Sequence, residues 1–140
     1  MRVYDDIKYI FEPPAEKGQC YIYVLENQPQ GYIKIGRTMN PAQRFKSLSG
    51  SNNGGNHIKR VAISPMTYIY NIEKICHEKF SWFRIDGTEY FKKVKFEDVV
   101  NYVDYLFSTD GFTRCTEIRI KRYAEHPEEI PKFLDKELQP

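Results

Sequence analysis

Residues 20–48, CYIYVLENQPQGYIKIGRTMNPAQRFKSL, place three elements in so little chain that few arrangements are open to them. Tyr21, Ile22, Tyr23, Val24 and Leu25 have the aromatic and aliphatic composition of a strand. Asn27, Pro29 and Gly31 follow as turn formers, and Tyr32-Ile33-Lys34-Ile35-Gly36 begins a second strand. A connection this short predicts an antiparallel hairpin, since a parallel return needs a crossover of about a dozen residues or more. Asn40 and Pro41 are the types favoured at the N-cap and first position of a helix, and Gly50 is the type that ends one. Arg44 lies one turn inside that helix. The spacing brings Tyr23, Lys34, Arg37 and Arg44 toward one surface.

The remaining chain reads as further alternating elements. Ahead of the hairpin, Tyr4, Ile7, Ile10 and Phe11 recur at near-helical spacing, which predicts a short helix or an edge segment that Pro13-Pro14 terminates. Residues 49–56, rich in asparagine and glycine, predict a loop, and residues 57–63 a basic strand. Ser64 and Pro65 predict the start of a long helix reaching about Phe83. Its apolar stripe is Ile69, Ile72, Cys76 and Phe83, with the Lys79 stem among them. A neighbouring stripe of Tyr70, Glu73, His77 and Phe80 is too mixed for a purely solvated face, and Glu73 and His77 project from the same side. Asp86-Gly87 marks a turn, residues 88–94 a strand, and Phe96–Phe107 a helix with Val99, Val100, Val103, Leu106 and Phe107 facing the core. Residues 112–123 alternate as a half-exposed strand before a proline-containing, charged tail. The order predicts an α/β (α+β) sandwich with a small, mainly antiparallel sheet flanked by helices.

With 140 residues, 41% apolar and 29% charged, the chain has the makeup of one ordinary globular domain. We divide it into an N-terminal extension (1–19), a core with its C-terminal helix (20–107), and a strand and charged tail (108–140). No apolar run approaches the roughly 20 residues that span a bilayer, and charges interrupt the N-terminal stretch, so an intracellular protein is expected, cytoplasmic or nucleoid-associated. Cys20, Cys76 and Cys115 lack metal-ligand spacing and are expected to be buried thiols. The net charge of +2 hides an uneven distribution. Residues 20–60 carry six cations (Lys34, Arg37, Arg44, Lys46, Lys59, Arg60) against Glu26 alone, a local balance of +5. Residues 125–140 carry five acids against two lysines, a balance of −3. The hairpin region is thus a candidate polyanion-facing surface, although charge alone fits a solvated basic face equally well.

The tripeptides Tyr21-Ile22-Tyr23 and Lys34-Ile35-Gly36, followed by Arg44 and Glu73, resemble the GIY-YIG nuclease superfamily. The sequence departs from the pattern at Tyr21 and at Lys34, the latter standing where a tyrosine is expected. KIGRT is similar to the second motif of a phage and fungal sub-branch in which lysine is common there. The resemblance implies a three-stranded core flanked by helices over about residues 20–94, and a divalent-metal-dependent endonuclease acting on DNA, or on RNA, as a monomer or a homodimer. It implies Glu73 as the ligand of Mg²⁺ or Mn²⁺, Tyr23 as general base and Arg44 as the phosphate-binding cation. One carboxylate with waters and substrate phosphate is how Mg²⁺ is usually held, and an arginine fork suits a phosphate. A phenol whose ordinary pKa is ~10 needs nearby positive charge to act as a base near neutral pH.

Lys34 supplies charge but cannot accept a hydrogen bond as a phenol does. His77 is a further catalytic candidate, either orienting Glu73 or assisting the leaving group. Arg37, Lys46, His57, Lys59 and Arg60 are candidate nucleic-acid contacts, with Tyr21 and Glu89 as supporting residues around the site. Two other readings stand beside this one. A non-catalytic nucleic-acid-binding module is favoured by the lysine-for-tyrosine change and opposed by the retention of Tyr23, Arg44 and Glu73. A protein-interaction domain would use the aromatic surface, with Trp82 and Phe83 as anchors.

Overall fold

The computed structural model describes residues 1–28, 30–49, 57–67, 72–108 and scattered positions between 121 and 128. Five strands, β1 (Arg2–Tyr4), β2 (Gln19–Gln28), β3 (Ile33–Thr38), β4 (His57–Thr67) and β5 (Tyr90–Phe91), form one antiparallel sheet in the order β1-β4-β2-β3-β5. Three helices, α1 (Pro41–Leu48), α2 (Ile72–Lys79) and α3 (Phe96–Phe107), accompany it. The architecture is α+β, with five strands among the described residues where three were expected. The two edge strands are three and two residues long, too short for a readable hydrophobic period.

The hairpin forms as its composition requires. Tyr23 pairs with Gly36 and Val24 with Ile35, and the turn is closed by the Gly31 amide donating to the Asn27 carbonyl at 2.9 Å. Gly31 has φ of 71°, a conformation that favours glycine. β2 is buried along most of its length, because β3 and β4 flank it and apolar layers cover both faces. Alternation sorts its side chains: Ile22 and Val24 join Ile33, Ile35, Ile72, Cys76, Val99 and Val103 on one face. Tyr21, Tyr23 and Leu25 join Ile10, Phe45, Val61 and Ile63 on the other. Helices α2 and α3 therefore back one face, and α1 the other.

Asn40 caps α1, its side chain accepting from the Gln43 amide at 3.3 Å, and Pro41 occupies the first turn. α3 has the bounds its periodicity predicts and buries Val99, Val100, Val103 and Leu106. Phe107, expected in the core, is 37% exposed at the final turn. The expectation of a helix opening at Ser64 and Pro65 is overturned. Both lie in β4, opposite Ile22 and Tyr21 of β2. Pro65 has no amide to donate, and β1 pairs with β4 only over Val61–Ile63, so beyond that point the outer edge of β4 requires no donor. The strand expected over 88–94 shortens to β5, after which Lys93 turns the chain at φ of 64°. In the extension, β1 joins the sheet and Ile10 enters the core while Phe11 is 81% exposed.

Cys20 and Cys76 are buried, and burial pushes the Cys20 thiol up to about 11. Among the described residues no helix is long and apolar enough to cross a membrane. Gly50, the loop at 50–56, Ile69, Tyr70, Cys115, the strand expected over 112–123 apart from Lys121, and nearly all of the tail lie outside the described residues.

Candidate active site at the end of strand β3

Strand β3 presents alternate residues to opposite faces, and β5 covers its free edge only at Ile33 and Lys34. The uncovered end, Ile35 to Thr38, is where the candidate residues gather. On the α1 face, Lys34 and Gly36 lie opposite Leu25 and Tyr23. On the α2 face, Arg37 lies opposite Ile22 and reaches the first turn of α2.

Gly36 makes the α1-face arrangement possible. A Cβ at this position would lie 2.4 Å from the Tyr23 hydroxyl oxygen and 2.5 Å from Cζ, so the phenol lies directly over the glycine backbone. The Tyr23 ring is fully buried and meets Phe45 of α1 edge-on, at 5.1 Å between centroids and 82° between planes. Arg44, one turn into α1, donates from Nε to the Tyr23 hydroxyl at 3.3 Å. Gly36→Ala is therefore expected to destabilise the fold by about 1–3 kcal/mol and to break the Arg44–Tyr23 contact. A urea midpoint equal to that of the parent protein would show that the phenol has room to retreat.

Burial raises the Tyr23 pKa, and this outweighs the opposing influence of the Arg44 hydrogen bond and of the Lys34 and Arg44 charges. The residue is a neutral phenol at neutral pH, so the nearby cations that a tyrosine base needs do not by themselves offset its burial. Lys34 is 7% exposed, with Nζ 3.0 Å from Glu89 Oε2 and 5.0 Å from the centroid of the Tyr90 ring. Unlike Lys34 and Arg37, Arg44 forms no ion pair with a carboxylate among the described residues. An open cleft of about 360 Å³ runs past it, lined by Thr38, Met39, Asn40, Gln43 and Ser47.

On the α2 face, Arg37 Nε lies 3.5 Å from Glu73 Oε2. Burial raises the Glu73 pKa, against the influence of Arg37 and, more weakly, of Lys34 and Arg44. His77, one turn along α2, places Nε2 2.8 Å from the Ile35 carbonyl and 3.9 Å from Glu73 Oε1. Burial lowers the His77 pKa, so the ring is neutral near pH 7 and its Nε2–H donates to the carbonyl that β5 leaves unpaired. The 3.9 Å approach to Glu73 is thus not an ion pair at that pH. A second open cleft of about 360 Å³ contains Arg37, Glu73, His77, Ser81 and Arg84. Arg84 was not singled out from the sequence, and no motif or spacing marked it. The end of β3 contributes to both clefts, Arg37 to one and Thr38 to the other.

Tyr23, Lys34, Arg37, Arg44, Glu73, His77 and Glu89 are thus brought to one strand end. Glu89 acts electrostatically on Tyr23, Arg44, Glu73 and His77. The remaining candidates lie elsewhere. Tyr21 is buried on the Tyr23 face but responds to Glu12 and Glu16. Arg60 is held by Glu26, at 3.1 and 2.9 Å, and by Glu97 at 2.6 Å, and it stacks 4.4 Å above the Phe96 ring. Lys59 also reaches Glu26, at 3.6 Å. These two cations belong to a structural network beside α3. Lys46 is exposed on α1, and His57 is exposed at the start of β4.

A family model described as the T5orf172 domain, a phage-associated domain found in some nuclease-like proteins, matches residues 20–106. No curated protein and no solved structure matches the chain.

Proposed function

The chain belongs to the T5orf172 domain family, and from that premise we propose that it is a GIY-YIG-type endonuclease that hydrolyses DNA phosphodiester bonds with a divalent metal ion, Mg²⁺ or Mn²⁺. The observation that carries the proposal is the Arg44–Tyr23 pair. A guanidinium without an acid partner among the described residues, lining a cleft and hydrogen-bonded to a buried phenol, suits a phosphate and a water better than it suits packing.

The donor set fits a hard cation: Glu73 is a half-buried carboxylate in an open cleft, although no group of three or more His, Cys, Asp or Glu is placed to hold a metal among the described residues. Glu73 would hold the ion together with waters and phosphate oxygens. When bound, the ion supplies charge neutralisation at the phosphate and lowers the pKa of coordinated water.

The chain's own residues do the rest. Arg44 holds the non-bridging phosphate oxygens and stabilises the charge that grows on them. Tyr23, neutral and held by Arg44, positions the attacking water through its hydroxyl oxygen and takes the water proton while its own passes to solvent in the open cleft, and solvent protonates the departing sugar oxygen. Lys34, kept near the phenol by Glu89 and Tyr90, favours negative charge on that oxygen. His77 is a positioning residue that holds α2, and with it Glu73, against the uncovered carbonyl of Ile35.

Tyr23→Phe tests this reading, because it keeps the ring against Phe45 and removes only the hydroxyl. Nicking of supercoiled plasmid in Mg²⁺ is expected to fall about 10²–10⁴-fold, with DNA affinity nearly unchanged. Nicking within twofold of the parent protein would remove the phenol from the mechanism. A DNA-binding module without catalysis, the alternative on the same fold, would nick with neither protein.

A further inference from the structure

We propose that Trp82 is a stacking platform for an unpaired nucleobase, so that the protein selects nucleic acid with single-stranded or splayed bases beside the cleft that holds Glu73. The proposal deepens the nuclease reading and rests on it. Trp82 is the middle residue of a 3-10 turn, Ser81–Phe83, that directly follows α2. Its side chain is 95% exposed, the most exposed large hydrophobic among the described residues. Isolated exposed aromatics are ordinary, and position is what distinguishes this one. Its neighbours Ser81 and Arg84 both line the cleft of Glu73, His77 and Arg37. A strand with a phosphate in that cleft therefore runs its adjoining base past the indole.

The turn is anchored rather than loose. The Arg84 amide donates to the Ser81 carbonyl at 3.2 Å, and Arg84 Nε donates to the Thr88 carbonyl at 2.6 Å. The Lys92 amide donates to the Phe83 carbonyl at 2.9 Å, and Arg84 bridges to Phe91. An aromatic held on a pinned turn offers a face at little further cost in ordering. The same hydrogen bonds bring Lys92 and Lys93, both exposed, beside the turn, so cations for a phosphate backbone accompany the ring. An indole has one donor and no acceptor and does not read base edges, whereas every base has a π face to stack. In an intact duplex those faces are covered by neighbouring bases. The occupant is therefore an unpaired base.

Trp82 is the chain's one tryptophan, so its emission reports this position alone. The full-length protein, kept metal-free with EDTA to prevent cleavage, would be titrated with single-stranded oligo(dT) of about 12 nucleotides, within the span of one small binding site. A blunt duplex would be followed in parallel by anisotropy. We expect oligo(dT) to quench the emission and Trp82→Ala to bind oligo(dT) roughly 5- to 150-fold more weakly. Trp82→Phe should retain part of the affinity, and duplex binding should change little in either variant.

Oligo(dT) binding that leaves the emission unchanged, or that is equally tight in Trp82→Ala, would overturn the proposal. So would emission that shifts to the blue with protein concentration before any DNA is added, which would place Trp82 in a protein interface. Duplex binding without any oligo(dT) response removes this inference and leaves the nuclease reading standing. Failure to bind either nucleic acid removes both.

Discussion

Arg44→Ala is expected to lower metal-dependent nicking by about 10²–10³-fold. The magnitude is that of removing one preorganised donor from a site where negative charge develops. The structure gives the specific reason. Arg37 is paired with Glu73, Arg60 with Glu26 and Glu97, and Lys34 with Glu89, whereas no acid among the described residues pairs with Arg44. Among the described residues its guanidinium bonds the Tyr23 hydroxyl, at 3.3 Å, so the charge is available to a substrate while the phenol fixes its direction. Arg44→Lys separates charge from geometry. It keeps the cation and loses the planar fork, and it should restore DNA affinity more fully than rate. Full nicking by Arg44→Ala would show that the phosphate is bound elsewhere.

Glu73→Gln has the other large effect, and it acts in two directions. Nicking should fall to the level of the parent protein in EDTA, since the amide lacks the charge a hard cation requires. Stability at neutral pH should rise. The Glu73 pKa is raised above its ordinary 4.5, chiefly by burial, despite Arg37 beside it. A group whose folded pKa exceeds its unfolded value contributes stability that is complete below the unfolded value and lost as pH rises through the folded one. At pH 7 the carboxylate is ionised in surroundings that disfavour the charge, and glutamine removes that cost. The expected result is a higher Tm for Glu73→Gln at pH 7 and a difference that vanishes below pH 4.5. A Tm lowered at pH 7 would mean that the Arg37 ion pair outweighs burial, and that Glu73 is held for structure.

Much of this site was legible because its elements carry local signals. Asn40 and Pro41 cap α1 through contacts within a few residues, and the period of Phe96–Phe107 is enough to bound α3. The hairpin places Tyr23 and Lys34 by spacing, and the Asn40 cap places Arg44 one turn into α1. What was not legible depends on distant pairing. Ser64 and Pro65 carry the same local signal as a helix start, and only their register against Ile22 and Tyr21 makes them strand. The three residues of β1 gain strand character only from β4. Arg60 reads as a nucleic-acid contact until Glu97, 37 positions along the chain, is seen to hold it. Gly36 reads as one letter of a tripeptide, and its physical role appears only when the Tyr23 phenol is found lying over it.

We propose that one strand end joins an acid on α2 to an arginine on α1 and a phenol on β2 as a single hydrolytic site. Nicking of supercoiled plasmid by the parent protein, in Mg²⁺ and again with EDTA in excess, tests it most directly. Open-circular product is expected with Mg²⁺, none with the chelator, and recovery when Mg²⁺ is restored. Nicking that continues unchanged in EDTA, or no nicking of any DNA in Mg²⁺ or Mn²⁺ by protein that binds DNA, would contradict it.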